Sequence, residues 1–198
     1  MSKEKALLAY FLVYFIIAFA WKSWRTYLKT GVNPIVLPNT DDAYGFVATG
    51  FKLILITILL YLCALVFFDF VNSASGTFQW LEFVGIDIFA WLIMTVGLLT
   101  TIKSQHDLSD SWRIGIDNNS KTNLITAGIY KFSRNPIFLS MRLSVFGAFL
   151  LVPNGVMLLF LGLSEVFIQV QVRLEETHLK LVHGKDYEIY ANKVRRWI

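Results

Sequence analysis

Several apolar stretches in this chain are about 20 residues long and nearly free of charge, the length a helix needs to cross a bilayer core about 30 Å thick. That length decides the solvent. Inside hydrocarbon every backbone N–H and C=O must be satisfied within the segment itself, so a single chain written this way folds as helices. Candidate spans cover residues 6–24, 44–68 and 80–102; a fourth starts at Pro136 and a fifth ends near Val172. Composition agrees, because 56% of the 198 residues are hydrophobic and mean hydropathy is +0.56, outside the range of soluble domains.

The expected fold is all-α: one membrane domain, 1–198, built as a bundle of five transmembrane helices. Pro34 and Pro38 mark the first connection as an irregular interfacial loop. Asp69 and Asn72-Ser73 end the second span, and a long polar loop, 103–135, follows the third. The uncharged turn Pro153-Asn154-Gly155 predicts an antiparallel hairpin of the last two helices. Beyond Arg173 the helix continues through Leu181 and stops at Gly184. There Tyr187, Tyr190, Val194 and Trp197 recur at helical spacing beside Lys193, Arg195 and Arg196, the pattern of an amphipathic helix on a membrane surface.

A net charge of +4 in a soluble protein would suggest nucleic acid, but here the basic residues lie between apolar segments, as topology signals do. No nucleic-acid partner is expected. Lys22, Arg25 and Lys29 follow the first span; Lys103, Arg113, Lys121, Lys131 and Arg134 follow the third; Arg173, Lys180, Lys185 and the tail add six more. The opposite side holds Lys3 and Lys5. The bias places the 103–135 loop and the C-terminus in the cytoplasm and the N-terminus outside. The N-terminal run ends Ala18-Phe19-Ala20, a small-x-small pattern like that of a cleavable leader; it is read as a retained first helix.

Cys63 is the only cysteine and sits in an apolar run. His178 and His183 are five apart, which does not match the i, i+4 spacing of a helical zinc pair, so no metal is expected. None of the twelve glycines stands two away from another, so the dinucleotide fingerprint is absent, and neither a G-x-x-x-x-G-K-S/T phosphate-cradling loop nor a G-x-S-x-G elbow occurs.

Depth along the hairpin locates a candidate site. Asn135 lies 19 residues before Asn154 and Glu175 lies 21 after it, so at about 1.5 Å per residue both sit roughly 30 Å from the turn. The count brings Arg134-Asn135-Pro136 and Glu175-Glu176 to one level at the membrane edge. Read alone, Asn135-Pro136 is a good helix cap, whereas Glu175 and Glu176 oppose the macrodipole if the helix ends there. The same count puts Arg142 opposite Glu165 at mid-depth, where charges must be paired; a buried ion pair is expected, as a register lock or as part of a tunnel wall. Ser140, Ser144 and Ala148, spaced by four, give a small-residue packing face, and Asp87 is placed toward the same interior. His106, opening the polar loop, is a further binding candidate.

The run G-I-Y then S-R-N-P-I-F from Gly128, the P-N-G turn, R-L-E-E from Arg173, and H-G-K-D-Y-E-I-Y ending in V-R-R-W together resemble the isoprenylcysteine carboxyl methyltransferase and phospholipid methyltransferase family of membrane enzymes. The resemblance covers about residues 97–198. It implies S-adenosylmethionine bound at the cytoplasmic ends of the last helices, enclosed by the loop before the fourth helix and by the C-terminal segment. Arg134, Asn135 and Phe138 take the family's R-H-P-x-Y positions, and Glu175 and Glu176 its paired glutamates; Gly128, Tyr130 and His106 look like further cofactor-binding residues. Asn135 and Phe138 stand where the isoprenylcysteine enzymes have His and Tyr, and Arg-Asn-Pro is more similar to prokaryotic members.

The residue types suit that chemistry. Carboxylates and aromatic faces favour a sulfonium cation, and an arginine can hold the cofactor's carboxylate. Arg134 and Glu176 are the expected catalytic residues, with Glu176 or His106 as the base that takes the acceptor's proton. The acceptor is lipid-embedded or small and apolar: a prenylcysteine carboxylate, a phospholipid amine or a thiol. An NADPH-dependent reductase of steroid-reductase type and a non-catalytic membrane protein that kept the fold are the alternatives.

Overall fold

Ser2 starts the first helix: its side chain accepts from the backbone N–H of Lys5 at 3.4 Å, and helix α1 (Lys3–Phe15) follows. The computed structural model describes residues 2–36, 40–115 and 123–198, so Pro38 and Lys121 lie outside the described residues. Helix α1 runs through a π-helical segment, Ile16–Trp21, straight into α2 (Lys22–Thr30), which Gly31 ends. The first apolar run is thus one helix extending several residues past either end of 6–24. Its additional turns are polar and were invisible to a reading of apolar content.

Asp42 caps α3 (Ala43–Phe67), accepting from the N–H of Gly45 at 2.9 Å. A short α4 (Asp69–Ala74) and a 3-10 turn, Gln79–Leu81, lead to α5 (Val84–Leu108). Trp80 therefore precedes the third span and does not begin it. Pro136 opens α6 (Pro136–Leu151), Asn154 caps α7 (Gly155–His183) by accepting from Met157 N–H at 2.9 Å, and α8 (Lys185–Lys193) follows Gly184. The stop at Gly184 is where the sequence placed it.

Among the described residues four helices, the continuous Lys3–Thr30, α3, α5 and α7, are long and apolar enough to cross a membrane, and the chain is an integral membrane protein. The expected fourth span, α6, has 16 residues, about 24 Å of rise, and is shorter than the others.

The two ends of the bundle are tied differently. At one end Lys3 pairs with Asp87 at 2.7 Å, Phe78 N–H donates to the Pro153 carbonyl at 2.7 Å and Gly155 N–H to Ser75 at 3.0 Å. Asp87, expected to face the bundle interior, is instead in the first turn of α5, paired with Lys3 at the N-terminus of α1. At the other end Gln105 Nε2 donates to Ala18 O at 2.6 Å and Lys22 to Ser109 O at 3.2 Å, so α1 and α5 run parallel.

Between them α5 and α6 pack backbone to backbone. Ser140, Ser144 and Ala148 are buried on that face. A Cβ on Gly147 would sit 2.3 Å from Met94 Cγ, so only glycine allows this approach. Hydroxyls line the seam: Tyr10 donates to Met94 O at 2.8 Å, Tyr14 meets Thr101 at 2.9 Å, and Thr101 meets Ser140 at 2.5 Å.

The hairpin of α6 and α7 carries the expected ion pair, half-buried and not buried as expected. Arg142 Nε lies 2.7 Å from Glu165 Oε2, and Nη2 3.0 Å from Oε1. The Trp197 ring covers that guanidinium at 4.5 Å.

Candidate functional site

A cavity of about 460 Å³ runs from the loop end of the bundle into its apolar middle. The inner part is walled by Phe11 and Tyr14 of α1, Phe51, Ile54 and Ile58 of α3, Ser144 of α6, and Ser164 and Ile168 of α7. Ile35 and Ile114 close one side through paired backbones: Val36 N–H donates to Ile114 O and Ile114 N–H to Pro34 O, each at 2.8 Å.

The loop end is built from the polar turn before α6. Gly128, at φ 61°, opens a 3-10 turn, Gly128–Lys131, that docks on the end of α5, where Asp107 Oδ2 accepts from Ile129 N–H at 2.9 Å. A Cβ on Gly128 would sit 2.1 Å from that oxygen, so the turn needs glycine for space as well as for handedness. Its effect is to bury Tyr130 against the cavity, with the Tyr130 carbonyl accepting from Tyr190 Oη at 2.8 Å. Gly128 positions the wall and is not part of it.

Asn135 occupies the cap position of α6, yet its side chain makes no capping bond. Nδ2 donates instead to Glu176 Oε1 at 2.9 Å, so the cap explanation of this residue fails and the depth count succeeds. Arg134 reaches the same carboxylate, Nε to Oε1 and Nη2 to Oε2, both at 3.2 Å, and Nη1 donates to Ala191 O at 2.9 Å. Arg196 arrives from the tail, with Nη2 2.8 Å from Oε2 and Nε 3.1 Å from each oxygen.

Arg134 and Glu176, expected to carry catalysis, therefore hold each other and the tail. The backbone repeats the grip: Arg134 N–H donates to Arg195 O at 3.1 Å and Ser133 Oγ to Arg196 O at 3.3 Å. Contact with Glu176 also holds the Arg196 guanidinium above its ordinary pKa. A carboxylate accepting from two guanidiniums is a poor proton acceptor, and Glu176 does not line the cavity.

Glu175 does line it. Its carboxylate accepts from Gln171 Nε2 at 2.8 Å one turn earlier on α7. Tyr130, Arg134, Asn135 and Phe138 are on the same lining, Phe138 facing Phe51 at 6.4 Å. His106 stands apart: its side chain is 82% exposed, Nδ1 is 3.3 Å from Asp107 Oδ1, and it does not reach the cavity. The helical register of α5 turns it outward while Asp107, one residue on, turns to the Gly128 turn.

The sequence assigned α8 to a membrane surface, but protein covers its aromatic face. Tyr187 and Tyr190 are buried, and both line the cavity with Trp112 and His183. Burial pushes the Tyr187 phenol up to about 12, and those of Tyr130 and Tyr190 higher still, so all three stay protonated near neutral pH. Period alone shows that a helix has an apolar face, not whether lipid or protein meets it. Arg196, read as one of the topology charges, was missed as a site residue for a related reason: nothing local marks it as the partner of Glu176.

Residues 86–186, just over half of the chain, match the sequence model of the family described as phospholipid methyltransferase. No curated protein and no solved structure matches the chain significantly. The matched stretch holds nearly all of α5, the Gly128 turn, α6, α7 and both glutamates, and it supplies Tyr130, Arg134, Asn135, Phe138 and Glu175 of the cavity lining. A membrane methyltransferase accounts for both the match and the apolar helices, and this chain belongs to the phospholipid methyltransferase family.

Proposed function

We propose that the protein transfers a methyl group from S-adenosylmethionine to a lipid-embedded or small apolar acceptor. The observation that carries this reading is a single cavity that joins a carboxylate, Glu175, to an apolar chamber walled by α1, α3, α6 and α7.

The residues present fit a sulfonium cofactor. Glu175 supplies negative charge, and Tyr130, Phe138 and Tyr187 add aromatic surface around it; both favour a cation. These four, with Asn135, would hold the cofactor, which when bound supplies an electrophilic methyl group. Phe11, Phe51, Ile54, Ile58 and Ile168 exclude water from the acceptor's end, and methyl displacement depends on alignment and dryness more than on acid–base work. Glu176 and Arg134 position the site: through Asn135 and the tail they fix the height of α6 against α7. Of the two glutamates, Glu175 is the one placed to take a proton from an amine or thiol acceptor. The loop end faces the cytoplasm in this reading, which the excess of basic residues around it supports.

Titration calorimetry of the chain in nanodiscs tests the reading, with binding of S-adenosylmethionine and S-adenosylhomocysteine expected and NADPH as the control. Absence of binding by both adenosyl compounds overturns it. Incubation with labelled donor and native membrane extract then identifies the acceptor by its label.

A further inference from the structure

Three residues lining this cavity carry a buried polar atom without a hydrogen-bond partner, Trp112 Nε1, His183 Nε2 and Tyr187 Oη, and beside them Nε of Arg113 is a fourth such atom on a guanidinium that bonds through Nη1 to Trp112 O at 2.8 Å. Trp112 and Tyr187 are each only 4% exposed. Native interiors rarely leave such atoms unsatisfied, and each one calls for an explanation, a partner supplied from outside the chain among them. Three on one cavity wall point to a ligand, whereas orphans scattered through the fold would not.

Their chemistry narrows the ligand. An indole N–H can only donate, and a phenol O–H donates most readily; the imidazole nitrogen can do either according to tautomer. The set therefore calls for a group rich in acceptor oxygens or nitrogens. Glu175, on the same lining, calls for a cation. A molecule with both belongs to one class: a cation joined to a carboxylate or to a hydroxylated nucleoside. Of the two arginines on the lining, Arg134 has its guanidinium taken up by Glu176 and Ala191 O, and Arg113 lies next to Trp112, whose carbonyl accepts from its Nη1 at 2.8 Å.

We propose that Trp112 Nε1, His183 Nε2 and Tyr187 Oη form a hydrogen-bonding subsite for the acceptor-rich part of the bound cofactor. The assignment rests on the cofactor reading above and adds to it which side chains select the ligand. It also gives α8 and the segment after α5 a shared task, since neither the Tyr187 hydroxyl nor the Trp112 indole N–H has another polar partner among the described residues.

The test uses the full chain in nanodiscs, with S-adenosylhomocysteine as the probe. Trp112→Phe and Tyr187→Phe are each expected to weaken its binding about three- to tenfold, the range of one hydrogen bond. Tyr187→Phe is not expected to lower the melting temperature of the ligand-free protein, because it removes an unsatisfied atom and no existing bond; Trp112→Phe also removes buried ring volume, so it is read by binding relative to Trp112→Leu, which should bind no better. Wild-type affinity in both variants overturns the proposal. So does a fall in ligand-free melting temperature in Tyr187→Phe, which would reveal a structural partner for its hydroxyl. If the wild-type chain binds neither adenosyl compound, the cofactor reading fails and this one with it; binding by the wild type with unaffected variants sinks the subsite alone. A parallel arm with 5′-methylthioadenosine, which lacks the amino-acid portion, places the contact. A penalty that persists puts the donors on the nucleoside, one that vanishes puts them on the carboxylate, and both support the subsite.

Discussion

Asn135 Nδ2 donates to Glu176 Oε1 at 2.9 Å across 41 positions of sequence, and this bond joins the start of α6 to the last turns of α7. Around it Arg134 and Arg196 close on the same carboxylate, with side-chain exposures of 13% and 33%. The arrangement is a clasp: remove the carboxylate and two guanidiniums, an amide and the tail lose a common partner.

Glu176→Gln is therefore expected to destabilise the protein by about 3 kcal/mol, the low end for breaking a buried pair because Arg196 is partly hydrated. Asn135→Ala loses one hydrogen bond to a charged group and costs about 1–3 kcal/mol. Thermal unfolding in nanodiscs checks both, and faster proteolysis at residues 194–198 in Glu176→Gln checks that the tail has been released.

Glu175→Gln has the opposite profile. Its carboxylate accepts from Gln171, and neither the Arg134 nor the Arg196 guanidinium bonds to it, so ligand-free stability should change little. If Glu175 faces a sulfonium, affinity for S-adenosylmethionine falls about tenfold or more, some 1.4 kcal/mol. S-adenosylhomocysteine, which carries no sulfonium charge, should lose less. Calorimetry with both compounds measures the difference; equal losses would remove Glu175 from the cation's surroundings.

Helix counting made much of this legible. Two helices joined by a short turn share a depth scale, so residues equally far from Asn154 meet, and both the Asn135–Glu176 contact and the Arg142–Glu165 pair follow from the 1.5 Å rise alone. Roles were less accessible than places. Glu175 and Glu176 are adjacent in sequence but about 100° apart around the helix, so one faces the cavity and the other the clasp. Nothing in the letters says which. The tail was harder still, because Val194–Ile198 are held by contacts from residues 133–135, 142 and 176. Tyr187 and Tyr190 had the right period but the wrong neighbour, since an apolar helical face is written the same way for lipid and for protein.

Arg142 and Glu165 offer a test of whether the hairpin pair stabilises or only specifies register. Their side chains are 31% and 38% exposed, and Gln169 Nε2 also donates to Glu165 at 2.7 Å. Arg142→Met alone leaves a carboxylate in apolar surroundings and is expected to cost about 2–3 kcal/mol. The double variant Arg142→Met, Glu165→Met should recover most of that loss, since hydrophobic replacement of such a pair is often neutral. A double-mutant cycle by thermal unfolding gives the coupling directly. Recovery of stability without recovery of the tail's protection would show that Trp197 needs the guanidinium under its ring.

Glycines on the two helices of the hairpin should respond to alanine with opposite signs. A Cβ on Gly147 of α6 would sit 2.3 Å from Met94 Cγ and 3.0 Å from the Ala90 carbonyl, so Gly147→Ala forces α5 and α6 apart. The expected cost is about 1–3 kcal/mol, as for other overpacked interiors. On α7 a Cβ at Gly162 meets nothing within 4 Å, so Gly162→Ala adds a better helix former without a clash and is expected to be neutral or to stabilise by up to about 1 kcal/mol. Thermal unfolding of both variants in one lipid composition compares them. Because the Gly147 penalty arises from a specific neighbour, Met94→Ala should shrink it, an interaction term visible only when the two changes are combined. Equal responses at Gly147 and Gly162 would mean that α5 and α6 do not approach as closely as Ser140, Ser144 and Gly147 allow.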